Sequence, residues 1–246
     1  MRKWLIFLAL ILGFCGVPRV QAQTKEVDRL GKATLIINAI MQAPDNAIPS
    51  DFLNRAVCVG VIPSEKKLAF GLGANYGRGV MVCRRAGNGP WGAPSMMMVG
   101  GGSYGFQLGG EASDIVFIVM SNSAAEKIMD RSLKLGVDVS AAAGPVGRRA
   151  EGATNAHFSA EILSYSRSRG LFAGVSLSGA VLEVDKKANR KLYGREIAPQ
   201  KILISGTVSP PVAAKPLDQI LEKYSPKGGA PLPKPAVTSS HPRGSS

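Results

Sequence analysis

The residues of this chain best equipped for chemistry are basic, and they come in clusters. These are Lys66 with Lys67, Arg84 with Arg85, Arg148 with Arg149, Arg167 and Arg169 in a Ser-Arg-Ser-Arg-Gly stretch, and Lys186 and Lys187 followed by Arg190 and Lys191. Paired guanidinium and ammonium groups suit phosphate oxygens, arginine through two parallel hydrogen bonds. Any one cluster is what a solvated loop carries. Five clusters in a chain of formal net charge +13 point instead to an anionic partner reached by long-range attraction. The chemistry implied is phosphate binding, with Lys66, Lys67, Arg148, Arg149, Arg167 and Arg169 as candidate ligands in turns beside strand ends.

Catalytic groups are sparse. The two histidines, His157 and His241, are far apart, and there is no Cys-x-x-Cys pair, so no metal site is expected. The segment Gly174-Val175-Ser176-Leu177-Ser178 breaks the Gly-x-Ser-x-Gly pattern of a nucleophilic serine. The glycine run Gly100 to Gly105 lacks the Lys-Ser/Thr of a phosphate loop, and no long helix is expected after it; close sheet packing accounts for it. Glu111, Asp114 and Glu161 could serve as general acids or bases with His157, but no spacing forces them together. The expectation is a protein that is not an enzyme and needs no cofactor. Cys58 and Cys83 fall in separate expected strands, leaving two readings open: a disulfide, or two buried thiols packed as small apolar groups.

The first residues read as a leader. Arg2 and Lys3 precede an apolar run from Trp4 to Phe14, and Val20-Gln21-Ala22 suits cleavage before Gln23. The run is short for a span of about 20 residues, and Phe14 before Cys15 argues against lipid attachment there. The domain expectation is a signal peptide at 1–22, one domain at 23–225 and a Pro/Gly/Ser-rich disordered tail at 226–246. Without Arg2, Lys3 and Arg19 the net charge falls from +13 to +10. An exported, periplasmic or secreted basic protein meets anionic phospholipid or polysaccharide sooner than nucleic acid; no nucleic-acid partner is expected.

The elements that must position these residues alternate between two periodicities. Residues 23–42 carry Val27, Leu30, Ala33, Ile37 and Ile40 at helical spacing. Ser50 and Asp51 suggest the start of a short helix, Ser50 as its cap. Strands are expected at Val57 to Ile62, Leu68 to Tyr76, Val80 to Cys83, Met96 to Val99 and Ile115 to Met120, with turns at Ser64 to Lys67 and Tyr76 to Gly79. Ser123, with Glu126 three residues on, reads as a capping box. His157 to Ser166 and Leu171 to Val184 read as a hairpin about the serine–arginine turn. In its second arm Val175, Leu177 and Val181 share one face and Gly174, Ser176, Ser178 and Ala180 share a nearly bare one. A final helix is expected at Leu217 to Tyr224. The fold class is α+β, a mostly antiparallel sheet with a few short helices and an N-terminal helix.

Four stretches carry a resemblance: FGLGANYGRGVMV (70–82), GGSYGFQLGGEASDIVFIVM (101–120), KLGVDVSAAAGPVGR (134–148) and ILSYSRSRGLFAGVSLSGAVLEVD (162–185), followed by Tyr193-Gly194. They resemble the SYLF domain, a lipid-binding module also called the Ysc84 actin-binding domain family, over roughly residues 30–225. The resemblance implies binding to anionic lipid headgroups. Eukaryotic members are fused to SH3 or FYVE domains, of which no pattern is seen here, so the endocytic and actin roles are not expected to carry over. In those members an amphipathic N-terminal helix aids membrane contact. Residues 24–42 occupy that place, with Lys25, Arg29 and Lys32 near Val27, Leu30 and Ile36. Two readings of this helix stay open: insertion at the membrane interface, or packing on the sheet. The alternative function is an envelope-associated scaffold with a protein partner, of unknown identity, or a cell-wall polymer.

Overall fold

A computed structural model describes residues 20–43, 48–70, 72–104, 109–146, 159–168 and 170–226. Among the described residues nine strands form one sheet: β1 (Cys58–Phe70), β2 (Leu72–Cys83), β3 (Ser95–Tyr104), β4 (Gly109–Val119), β5 (Leu133–Lys134), β6 (Ala141–Ala143), β7 (Ile162–Ser168), β8 (Leu171–Gly174) and β9 (Val181–Val184). The order is β5-β9-β3-β2-β1-β4-β7-β6, with β8 paired to β7. Every pairing is antiparallel except β6 with β7. Among the described residues six α-helices accompany the sheet: α1 (Val20–Gln42), α2 (Ser50–Arg55), α3 (Asn122–Asp130), α4 (Lys186–Tyr193), α5 (Pro199–Leu203) and α6 (Lys215–Tyr224). The class is α+β with an N-terminal helix, as the sequence patterns require.

Apolar side chains bury on both faces of the sheet. On one face Val59, Val61, Val80, Val82, Val116 and Ile118 meet α1, α2, α4 and α6. On the other Ile62, Met81, Met97, Ile115, Phe117 and Val119 meet α3 and α5. This double covering explains why Ile115 to Val119 is apolar without alternation. In α1 the residues Leu30, Ala33, Ile36, Ile37 and Ile40 are all buried, the stripe that 3.6-residue periodicity demands. Of the two readings of this helix the structure therefore shows packing: Leu30 and Ile36 are spent on the sheet and cannot also enter a membrane. The helix runs back to Val20, across the cleavage position expected from the leader pattern.

Caps differ in detail from the sequence expectation. Pro49, not Ser50, takes the cap position of α2. Ser121 caps α3, its Oγ accepting from Ala124 N at 3.0 Å, two residues before Ser123. The expected turn at Ser64 to Lys67 is a bulge inside β1. Val61 pairs with Val80 and Lys66 with Tyr76, so β1 carries one extra residue over this stretch. Pro63 has no N–H to give to a ladder and is tolerated in a central strand only at such a point. Ser64 adopts φ 54° there and donates its N–H to Asp114 Oδ1 at 3.0 Å. Tyr76 to Gly79 is likewise the interior of β2 rather than a turn.

The serine–arginine stretch does turn the chain from β7 to β8, but the arm after it is not one strand. Strand β8 ends at Gly174, and β9 crosses to pair with β3 on the far side of the sheet. Between them Leu177 and Ala180 both bury in the second core, so the alternating faces expected for 174–181 do not form. The close approach expected of its small residues is real at one point. A Cβ on Gly174 would lie 2.1 Å from the carbonyl oxygen of Gly144.

Candidate functional site

Of the six candidate phosphate ligands, Arg148, Arg149 and Arg169 lie outside the described residues, as does His157. Lys66 and Lys67 are not in a turn: they sit within β1, in register with Tyr76 and Asn75 of β2 and with Ala112 and Glu111 of β4. Arg167 is half-buried, with Nη1 3.7 Å from Asp114 Oδ2 and its guanidinium 5.4 Å from the Phe172 ring centre. It braces the β7–β8 hairpin against the β1 bulge, where Asp114 also holds Ser64. Arg84, counted in the sequence among surface pairs, is fully buried.

A different set of cations converges. Lys25, Arg29 and Lys32 recur along one face of α1 and, with Tyr76 and Arg78 of β2 and the Pro63–Ser64 bulge, line a cavity of about 330 Å³. Asp28 also lines it, 2.8 Å from Lys32 Nζ. Arg29 Nη1 donates to Met96 Sδ at 3.5 Å, which seats its stem against the core. Arg78 Nε donates to the Tyr76 hydroxyl and lies 3.7 Å from Asp185 Oδ2. The bond to Tyr76, and then the Asp185 charge, hold its guanidinium still more firmly protonated than usual.

Sequence reasoning named the three helix residues but missed Tyr76 and Arg78. The signal lay in the glycines that suggested a turn. A Cβ on Gly77 would meet Ile62 Cγ2 at 2.4 Å, and one on Gly79 would meet the Val61 carbonyl at 2.0 Å. Tyr-Gly-Arg-Gly is therefore a strand with one crowded face and one presenting Tyr76 and Arg78 toward α1.

Among the described residues, Asp114 and Glu161 do not come together; His157 and the side chain of Glu111 lie outside them. Asp114 is occupied by Ser64 and Arg167, whereas Glu161 lies beyond the other end of that strand pairing. There its Oε1 accepts from Ser121 Oγ at 3.1 Å and its Oε2 from Ser140 N at 3.2 Å. Among the described residues no group of three or more His, Cys, Asp or Glu side chains could hold a metal ion, and no helix is long and apolar enough to cross a membrane. Cys58 and Cys83 face each other in register across β1 and β2 and are joined by a disulfide, both fully buried.

The fold is a two-cored sheet with a cation-lined groove beside α1, and comparison with known proteins gives its family. The model of the Ysc84 family, described as "Las17-binding protein actin regulator", matches residues 100–224. LAS seventeen-binding protein 3 of Saccharomyces cerevisiae is 36% identical over 221 residues, covering 87% of this chain and 47% of the yeast protein. The human SH3 domain-containing YSC84-like protein 1 is 38% identical over 189 residues, covering 75% of this chain and 55% of its own. This chain belongs to the Ysc84, or SYLF, family. It spans about half the length of the curated relatives it matches.

Proposed function

We propose that this chain is a non-enzymatic, exported lipid-binding module that recognises anionic phospholipid headgroups in the groove between α1 and β2. The observation that carries the reading is the convergence of Lys25, Arg29, Lys32 and Arg78 on one cavity whose lining acid, Asp28, is already paired to Lys32. That leaves a concave site with surplus positive charge and an exposed aromatic side chain, Tyr76, at its wall. A phosphate ester fits such a site by charge and by hydrogen-bond donors. Export is supported by the leader pattern of residues 1–22 and by the Cys58–Cys83 bond, which suits an oxidising compartment. The protein would then be periplasmic or secreted and peripheral to a membrane.

A second reading is a protein-interaction scaffold. The yeast relative is named for a protein it binds, LAS seventeen, and the family description speaks of an actin regulator. Co-sedimentation of residues 23–246 with vesicles separates the two. The lipid reading predicts binding to phosphatidylglycerol vesicles, none to phosphatidylcholine vesicles, and release as salt screens exposed charge. Equal behaviour toward both vesicle types would favour the scaffold.

A further inference from the structure

Arg78 also forms part of the wall of a second and larger cavity, of about 520 Å³, between the end of α3, the end of β9 and the start of α4. Its volume lies in the range of small-molecule sites, and its lining is mixed in charge. Arg78, Arg131, Lys186 and Lys187 supply four cations, and Asp130, Glu183 and Asp185 supply three carboxylates, over a floor that includes Met98. A simple anion would face the carboxylates, and a simple cation would face the four basic groups.

The carboxylates differ in what they still lack. Asp130 Oδ1 accepts from Gln200 Nε2 at 2.6 Å, and Glu183 Oε2 accepts from Ser132 Oγ at 2.6 Å. Asp185 caps α4, its Oδ1 accepting from Ala188 N at 2.9 Å. Its other oxygen, Oδ2, is buried and has no hydrogen bond, on a residue only 4% exposed. The facing cation, Arg78 Nε, stands 3.7 Å away, beyond hydrogen-bond reach, and gives its hydrogen to Tyr76. A buried carboxylate oxygen without a donor is costly, and Asp185 is one of the residues that line this cavity.

We propose that this cavity binds a compact zwitterion, a phosphate ester bearing a primary ammonium group, of which phosphoethanolamine is the simplest. The ammonium supplies the donor that Asp185 Oδ2 lacks and faces Glu183 and Asp130. The phosphate takes Arg131, Lys186 and Lys187. The site is distinct from the α1–β2 groove and shares only Arg78 with it, so it does not depend on the anionic-lipid reading.

The test is a calorimetric titration of residues 23–246, with amide chemical shifts followed in parallel, using three probes: O-phosphorylethanolamine, phosphocholine and inorganic phosphate. Phosphocholine carries the same charges but has no N–H to donate. The proposal predicts that O-phosphorylethanolamine binds about tenfold more tightly than either and shifts residues 128–132 and 183–187. Asp185→Asn keeps an oxygen for the α4 cap, since Asn caps as well as Asp, but removes the charge; it should erase the preference while leaving the fold intact by circular dichroism. Lys186→Gln with Lys187→Gln should weaken all three probes. Equal binding of phosphocholine, a preference that survives Asp185→Asn, or an absence of shifts around the cavity would each overturn the proposal. Vesicles of equal anionic content carrying phosphatidylethanolamine or phosphatidylcholine then identify the source. Asp185-dependent selectivity between the vesicles assigns the ligand to a membrane, and selectivity for the free probe alone assigns it to a soluble ester.

Discussion

Arg78 lies within β2 and Arg84 directly after it, yet the same side chain performs opposite tasks at the two places. Arg84 is fully buried and every direction of its fork is taken. Nε donates to Ala56 O at 3.2 Å, Nη1 to Gly89 O at 3.2 Å, and Nη2 to Ser225 O at 3.0 Å, with the guanidinium 4.1 Å from the Trp91 ring centre. It ties the loop before β1, the turn after β2 and the end of α6 into one knot, to which Trp91 Nε1 adds a bond to Ser225 O. Desolvation lowers its pKa. Arg78 is half exposed, held from below by Tyr76 and Asp185, and faces two cavities. A cation whose donors are all spent on carbonyls is architecture, and one with donors left over beside a cavity can meet a ligand. Charge counted along the sequence does not make that distinction.

The largest expected effect breaks the knot. Arg84→Ala takes the side-chain donors from the Ala56 and Gly89 carbonyls and empties the space beside Trp91, and should cost on the order of 3 kcal/mol in urea unfolding. Arg78→Gln should cost less than about 1 kcal/mol, because its ion pair is partly solvated. Equal losses in the two variants would erase the distinction drawn between them.

A smaller effect sharpens the knot's surroundings. Asp218 lies on α6, and burial raises its pKa to about 6, against the opposing pull of Arg85. A carboxylate whose folded pKa is raised stabilises the fold below its ordinary pKa of about 4, and that contribution is lost as pH rises through about 6. Asp218→Asn should therefore raise the melting temperature at pH 7.5, and its advantage over the parent protein should shrink toward pH 4. A difference that stays constant across this window would show that burial does not set the charge of Asp218.

Much of the fold was legible in the sequence because it rests on periodicity. The apolar stripe of α1, the strand at Ile115 to Val119 and the helix at Leu217 to Tyr224 all announce themselves by spacing, and all are present. What the sequence concealed depends on partners far along the chain. Ser64 to Lys67 has every local mark of a turn, but β2 and β4 flank it and turn Pro63 and Ser64 into a bulge. Gly77 and Gly79 look like turn residues until Val61 and Ile62 are seen pressed against them. The crossing from β8 to β9 depends on β3 being available on the far side of the sheet. The groove was half legible: Lys25, Arg29 and Lys32 share a visible helical face, whereas Arg78 joins them only through the packing of α1 on the sheet.

The central claim is that the groove, and not basic charge in general, binds anionic headgroups. It is tested most directly by co-sedimentation with phosphatidylglycerol vesicles at low salt, comparing three proteins: the parent, Arg78→Gln combined with Lys25→Gln, Arg29→Gln and Lys32→Gln, and a control with the same loss of charge at Lys191, Lys201, Lys215 and Lys223, which lie outside the groove. The account predicts that the groove variant loses at least about tenfold in affinity while the control loses far less. Equal losses in the two variants would contradict it.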